Sequence, residues 1–535
     1  MDNDAAPDSD ETVGQTEVIS FLLSPEAHGL GPSAPVERHE THGALVFLAG
    51  ARAFKIKRAV RYTYMDFSTL DKRRRVLERE LAINRCNAPD LYIDVVAITR
   101  ESDGNLRIAG SGIPVEWALR MHRFEQTSLL SHRVSAGLGT DLVKALADEV
   151  SRMHGAAPIS PAGEQTARIA GIIRELTSAL SADSEHASAS ETVGARATAR
   201  LRGAAELLDR RSAAGKVRRC HGDLHLDNIV VWKGMPTLFD AIEFDEDIAT
   251  IDTLYDLAFL LMDLDVHGAR PAANALLNRY LWRTRDPLDL DGLALLPLFL
   301  ALRAFVRAMV AVQKANLTSA DASARLRRSA HEHLSRALAY LTPPPATLVA
   351  VGGFSGSGKS TLAAALAPYF GQAPGAILLR SDVERKALLG VDELKRLPPA
   401  AYTRESSAKV YAEMKLRAAR ALAAGQAAVL DAVFSAPTER AAAEAIARDA
   451  HVPFLGLWLD AEPAELIDRV EQRTADASDA STDVVEAQLL RGAGEIDWHV
   501  VDSSGTKAQT LAKTASLLRA ALPDAAISDL ARARA

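Results

Sequence analysis

Two clusters of residues in this chain have the types and spacing that phosphate chemistry demands. The first is Gly353-Phe-Ser-Gly356-Ser-Gly358-Lys359-Ser360-Thr361. Its glycines let successive backbone N–H groups wrap an anion, Lys359 offsets phosphate charge, and Ser360 offers a hydroxyl to Mg²⁺. Thr361 then opens a helix-forming run. The second cluster is His221-Gly222-Asp223-Leu-His-Leu-Asp-Asn228, in which Asp223 is spaced to orient or deprotonate an acceptor hydroxyl and Asn228 to ligate Mg²⁺. Twelve residues past Asn228, Asp240 is placed for a second metal ligand. No glycine follows it. The sequence continues Ala-Ile-Glu243, so Glu243 competes for the same role.

More chemistry-bearing residues gather around the first cluster. Leu378-Leu-Arg-Ser-Asp382-Val-Glu-Arg385 sets a carboxylate and a guanidinium one helical turn apart. Asp382 can accept the proton of an attacking hydroxyl while Arg385 holds substrate or phosphate, although a helix N-cap with an i,i+3 ion pair would read the same way. Asp431 follows an apolar run and suits a water-mediated Mg²⁺ contact or an ordinary turn. Arg469, Arg473 and Arg491 flank the polar stretch 474–483, which fits either a closing lid that brings an arginine to the phosphoryl group or a solvated helix face. The pairs His39 with His42 and His331 with His333 lack further ligand partners and read as surface histidines.

These groups need elements to position them. Residues 44–48, 53–57 and 92–99 are strand-like and surround a charged helix at 70–85, whereas 141–341 carries mostly helical periodicity, as at 141–153, 167–180 and 253–264. A small sheet lobe followed by a helical lobe is expected. Residues 181–198 are rich in Ala, Ser and Glu and read as a surface loop or weak helix. Pro343-Pro344-Pro345 is the clearest punctuation. After it, apolar strands at 347–351, 376–379, 427–430 and 454–459 alternate with helices, the signature of a parallel α/β sheet. The expected layout is an acidic disordered tail at 1–30, a first domain at 31–341, a linker at 342–346, a second domain at 347–525 and a tail at 526–535.

On these motifs the chain resembles two families. Residues 347–522 resemble the small P-loop kinases that include gluconate kinase, polynucleotide 5'-kinase and the zeta toxins, and Ser381-Asp382-x-x-Arg385 is similar to the acceptor-activating Asp and nearby Arg of the latter two. Residues 43–341 resemble the aminoglycoside phosphotransferase and choline kinase group, itself protein-kinase-like, through the Asp223 loop and through Tyr255-Asp256-Leu-Ala258, which looks like that group's structural Asp. This resemblance implies a strand lysine on the ATP phosphates, Lys55 or Lys57 with Lys55 preferred, held by a helix glutamate, Glu80. Glu80 also lies in a charged run, 73–80, that reads as mainly an exposed helix face. No Gly-rich loop precedes Lys55.

Bulk properties narrow the partners. A net charge of -7 gives no general attraction to nucleic acid or anionic membrane, so nucleic-acid binding is not expected without a local basic groove. Cys86 and Cys220 are the only cysteines and have no metal-ligand spacing, which fits a reducing cytoplasm. The apolar stretch 293–310 contains Pro297, Arg303 and Arg307 and reads as a core helix, not a membrane span. The expectation is a cytoplasmic bifunctional kinase that uses ATP and Mg²⁺ to phosphorylate hydroxyls of small acceptors. Two alternatives are a regulatory protein with one non-catalytic nucleotide site, and a nucleic-acid 5'-kinase or nucleotide-sugar kinase in the second module.

Overall fold

The computed structural model describes residues 9–41, 43–62, 65–161, 163–473 and 476–521. His42, Thr474 and the tail at 526–535 lie outside the described residues. The chain packs as two compact units. The first comprises the described parts of Met1–Leu138, Arg152–Pro161 and Gly215–Asp256; the second comprises those of Gly139–Ser151, Ala162–Ala214 and Leu257–Ala535.

Alternating apolar residues build the first unit around an antiparallel sheet whose strands lie in the spatial order Val36–Glu40, Ala44–Ala49, Arg52–Lys57, Ile113–His122, Tyr92–Arg100, Leu106–Ile108. One sheet face buries Leu45, Phe47, Ile56, Ile98 and Ala118. Val18 and Leu22 complete that cluster from a helix, Ser9–Leu23. The expected disordered tail at 1–30 is therefore corrected for its described part. Acidic composition hid two large apolar side chains one helical turn apart, each worth about 1.5–3 kcal/mol when buried. On the other face, Leu77 of helix Leu70–Arg85 packs with Leu91, Tyr92 and Leu119. Thr69 caps this helix by accepting the Lys72 N–H. The Asp223 loop enters through Val217–Arg219, paired with Thr250–Asp252, and leaves into the hairpin Ile229–Trp232 and Met235–Leu238.

The second unit contains a five-stranded parallel sheet in the order Ile377–Arg380, Ala428–Asp431, Leu348–Gly353, Phe454–Asp460, His499–Asp502. Val349, Val351, Leu455, Leu457 and Val501 form its core with Leu362 and Leu366 of helix Lys359–Leu366. Helices Gln165–Ser181, Ala187–Ala213, Leu296–Ala315 and Ala320–Tyr340 belong to the same unit. The stretch 181–198, read as a loop or weak helix, starts at the end of the first of these and lies from residue 187 on inside the second. Pro287–Ala315 is long and apolar enough to cross a bilayer by length and composition, yet 78% of its most apolar window is buried inside the protein. Within it, Arg303 lies over the Phe259 ring. His333 is buried, its Nδ1 at 2.7 Å from the Ser329 carbonyl, which corrects its reading as a surface histidine. Residues 342–346 lie inside this unit, so the compact division does not follow the proline run.

Candidate active sites

Alternation along Arg52–Lys57 puts Lys55 and Lys57 on one face of the sheet. Lys55 Nζ donates to Glu80 Oε1 at 2.7 Å, and Lys57 Nζ stands 2.7 Å from Glu80 Oε2. Each lysine has a second acid: Lys55 donates to Asp240 Oδ1 at 2.6 Å and Lys57 to Glu243 Oε1 at 2.5 Å. Glu80 is fully buried, so its expected place on an exposed face is corrected. The helix turns it inward, as it does Arg73, while Arg74, Arg75 and Glu78 turn out. With all five groups ionised, two lysines against three carboxylates leave the cluster with one net negative charge.

The surroundings fix the charge states. Burial would lower the Lys55 pKa, but Asp240, Glu80 and Glu243 outweigh it and hold the amine well above the usual lysine range. Burial would raise Asp240, but Lys55 holds it below the usual carboxylate range. Glu243 is pushed up by burial, against the pull of Lys57. Asp240 sits at φ +59, a conformation unusual for a residue with a side chain. The segment is held there because the Asp240 N–H donates to Tyr92 Oη and the Ala241 N–H donates to Asn84 Oδ1.

The Asp223 loop lies beside this cluster. Asn228 Nδ2 donates to the Asp223 carbonyl at 2.9 Å and to its Oδ2 at 3.0 Å, which turns the amide oxygen of Asn228 the other way. Asp223 is close enough to Asp240 to oppose its ionisation. Buried Asp256 accepts the N–H groups of His221 and Gly222 at 3.2 and 2.9 Å and fastens the loop from beneath. A cleft of about 230 Å³ between Val46, Leu48, Met121 and Phe239 ends at Lys55 and Asp240; Lys57 does not line it.

In the second unit the strand Leu348–Gly353 turns into helix Lys359–Leu366 through the glycine-rich loop. Gly356 and Gly358 take φ +87 and +89. A Cβ at Gly356 would collide with the Leu466 carbonyl, whereas one at Gly358 would meet nothing within 4 Å and would point into the open cradle. The buried Ser357 Oγ has no partner atom. Lys359 Nζ donates to the Phe354 carbonyl at 3.0 Å. These features fit a phosphate chain.

A cavity of about 710 Å³ opens from that cradle and is lined by Lys359, Ser360, Thr361, Asp382, Arg385 and Asp431, with Arg469, Arg473 and Arg491 on its rim. The cavity brings together the residues expected on this side except Gly353, which does not line it. Burial pushes Asp382 above the usual carboxylate range, with Asp431 adding to it and Ser478 opposing. Burial lowers Lys359, and Asp431 and Asp382 oppose that. Arg385 donates to the Ala401 carbonyl at 3.0 Å and to Ser406 and Ser407 at 3.2 and 3.3 Å, and stacks over Tyr402. An adjoining, more apolar cavity of about 370 Å³ lies between Thr361, Leu362, Thr506 and Leu511.

Several participants escaped the sequence reading. Arg380 links Asp431 to Asp476, at 3.3 and 3.0 Å. Asp479 accepts from Tyr402 Oη at 2.6 Å, and Gln488 Oε1 accepts the Ser355 N–H at 2.8 Å. The described part of 474–483 is therefore pinned across the cavity, not a solvated helix face. Only the polar density of that stretch signalled this.

Comparison with known proteins agrees with the geometry. Residues 87–293 match the family model described as a phosphotransferase enzyme family, and residues 348–494 match one described as an AAA domain. An uncharacterized protein of Mycobacterium tuberculosis (strain ATCC 25618 / H37Rv) is 28% identical over 509 residues, covering 93% of this chain and 98% of the relative. Among solved structures, a choline/ethanolamine kinase family protein from Mesorhizobium loti is 16% identical and covers 61% of this chain and 94% of its own, with a TM-score of 0.37. A gluconokinase from Sinorhizobium meliloti 1021 is 22% identical and covers 33% of this chain and 95% of its own, with a TM-score of 0.24. The N-terminal part is a kinase-like two-lobe fold and the C-terminal part a P-loop kinase-like α/β fold. Two stretches of the chain thus carry kinase-like domains, one similar to phosphotransferases and one with a P-loop.

Proposed function

We propose that the chain is a bifunctional ATP-dependent kinase whose two sites each transfer the γ-phosphoryl group to a hydroxyl of a small acceptor. What carries this reading is the duplication of one chemical set: a lysine for phosphate charge, a carboxylate for the acceptor and oxygens for a cation. In the first site these are Lys55, held by Glu80, then Asp223, then Asn228 and Asp240. In the second they are Lys359, Asp382, and Ser360 with Asp431.

The donor set fits Mg²⁺. Asn228 is oriented with its amide oxygen away from Asp223, the cluster around Asp240 has an excess negative charge, and carboxylate and hydroxyl oxygens suit a hard cation. Mg²⁺, when bound, neutralises phosphate charge and orients the transferring group. Asp223 and Asp382 position the acceptor hydroxyl and take its proton. Arg385 holds the acceptor, and Arg469, Arg473 and Arg491 supply positive charge to the transferring group. The apolar cavity beside Thr361 takes the nucleoside. The boundary between the two chemistries stays at 342–346, and the protein acts in the cytoplasm.

A nucleic-acid 5'-kinase is disfavoured because two of the basic side chains beside Asp382, Arg380 and Lys386, are consumed internally. Lys386 is fully buried and lies 3.3 Å from Asp479, while Arg380 bridges two carboxylates. The decisive experiment is γ-³²P transfer from ATP with Mg²⁺ across a panel of hydroxylated metabolites, using Lys359→Ala and Asp223→Ala variants of the full chain. Each variant is expected to lose transfer to a different acceptor. Complete loss of all transfer in either single variant would contradict two independent sites.

A further inference from the structure

The acceptor residues Asp382 and Arg385 sit on a short helix, Ser381–Leu388, that leaves the edge strand Ile377–Arg380. An edge strand has a row of unpaired backbone groups and is the least constrained strand of its sheet. Here it is tied down from a distant part of the sequence. Leu378 N–H donates to Asn278 Oδ1 at 2.7 Å, and the Nδ2 groups of Asn274 and Asn278 donate to the Ala376 carbonyl at 3.0 and 3.2 Å. Both asparagines project from helix Arg270–Thr284, which lies within the part that resembles the aminoglycoside phosphotransferases.

That helix ends in Arg285, whose backbone sits at φ +47. A left-handed arginine is a strained choice, and such positions persist where the surroundings fix them. Arg285 Nη1 donates to Glu384 Oε2 at 2.9 Å and Nη2 to Glu413 Oε1 at 2.9 Å. Glu384 lies between Asp382 and Arg385 on their short helix and is only 3% exposed. Glu413 belongs to helix Arg404–Ala423, which carries Ser406 and Ser407 against Arg385. One guanidinium thus joins the two helices that frame the acceptor side of the cavity.

We propose that Arg285 is a positioning residue for phosphoryl transfer at the P-loop site: through Glu384 and Glu413, the helical region of the first module sets where Asp382 and Arg385 stand relative to the phosphate cradle. This rests on the reading of that site as a kinase. A displaced Asp382 meets the phosphoryl group and acceptor in the wrong geometry, and misplacement of about 1 Å costs on the order of a hundredfold in rate. The cradle does not include this helix, so nucleotide affinity is spared.

The test uses the full chain in an Asp223→Ala background, with MgATP hydrolysis by water as the probe reaction. Arg285→Met is expected to lower kcat about tenfold to a hundredfold with KM for MgATP within about twofold. Arg285→Lys and the swap Arg285→Glu/Glu384→Arg should recover part of it. Lys359→Ala is the control on the underlying reading: if it leaves hydrolysis intact, the kinase reading fails first. If Lys359→Ala abolishes hydrolysis but Arg285→Met leaves kcat per folded molecule unchanged, the positioning role is wrong. A lower melting temperature with kcat unchanged also overturns it, since that is the mark of a purely structural contact. Should Arg285→Met not fold, Arg285→Lys is judged by the same kcat-against-KM criterion.

Discussion

The buried cluster of the first unit separates stability from catalysis residue by residue, and Lys57→Met is the sharpest probe of that separation. Lys57 stands between two buried acids, 2.7 Å from Glu80 and 2.5 Å from Glu243, and lies outside the cleft that ends at Lys55. Methionine keeps much of the side-chain volume and removes the charge. Glu80 retains Lys55 as a partner, whereas Glu243 loses its hydrogen-bonded cation. Removing one member of a buried pair destabilises by about 3–5 kcal/mol when the other stays charged. Glu243 has a way out, since burial already pushes its pKa up and the loss of Lys57 pushes it further. The sign follows from linkage. A carboxyl whose folded pKa exceeds its unfolded value contributes stability below the unfolded pKa, and that contribution is lost as pH rises through the folded pKa. The penalty of Lys57→Met is therefore expected to be small near pH 5 and to grow by about 1.4 kcal/mol per unit until Glu243 ionises. Urea denaturation followed by tryptophan fluorescence, with Trp117 and Trp232 reporting on this unit, measures it against the unsubstituted chain at each pH. A penalty that does not change between pH 5 and pH 8, or one below about 1 kcal/mol throughout, would refute the picture of a lysine shared by two buried acids.

Lys55→Met is expected to lower phosphoryl transfer at the first site by about a hundredfold or more, because the lost amine is the one that reaches the cleft; equal loss in Lys57→Met would reverse the assignment. Asp382→Asn should abolish most transfer at the P-loop site and yet raise the melting temperature at pH 7. The raised pKa of Asp382 means that its ionisation opposes folding above that pKa, so an unchanged or lower melting temperature would contradict its burial. The same shift places the acid limb of the pH–rate profile for that site above the ordinary carboxylate range, and Asp431→Asn, which removes the like charge, should move it down. Gly358→Ala should weaken ATP binding without a comparable fall in stability, because its Cβ enters empty space in the cradle, although φ +89 adds some backbone strain. Gly356→Ala should do the reverse, since its Cβ runs into the Leu466 carbonyl.

Much of this is legible in the sequence where a function needs short-range spacing. The phosphate loop fits its string because glycines, lysine and hydroxyls act within one turn of chain, and the Asp223 loop likewise holds Asn228 through a bond across five residues. Parallel strands show as apolar runs for the same local reason. What escapes depends on contacts distant in sequence. Glu80 sits in a run of charges, and only the packing of its helix against the lysine strand decides that it faces inward. Glu243 reads as a rival of Asp240 for one role, but the pleat gives each acid its own lysine. Helix Ser9–Leu23 is hidden by an acidic context, since buried Val18 and Leu22 gain meaning only from the sheet they cover.

The proline run at 343–345 shows the limit of punctuation as a guide to architecture. Pro-rich segments mark where local structure stops, which says nothing about which surfaces stay together afterwards. Here the flanking pieces share buried polar contacts: Gln372 donates to the Leu293 carbonyl at 3.2 Å, and Asn274, 4% exposed, holds the edge strand of the parallel sheet. Buried amides without partners cost about 1–3 kcal/mol each, so these contacts work against separating the two pieces. A fragment beginning at residue 347 would expose the edge strand and leave Glu384 facing Arg417 alone, with Arg285 gone. It is expected to bind ATP through its intact cradle but to turn over slowly and aggregate through the open edge. If it were as soluble and as active per molecule as the full chain, the helical region would have no part in holding the P-loop site, and the assignment of Arg285 would fall with it.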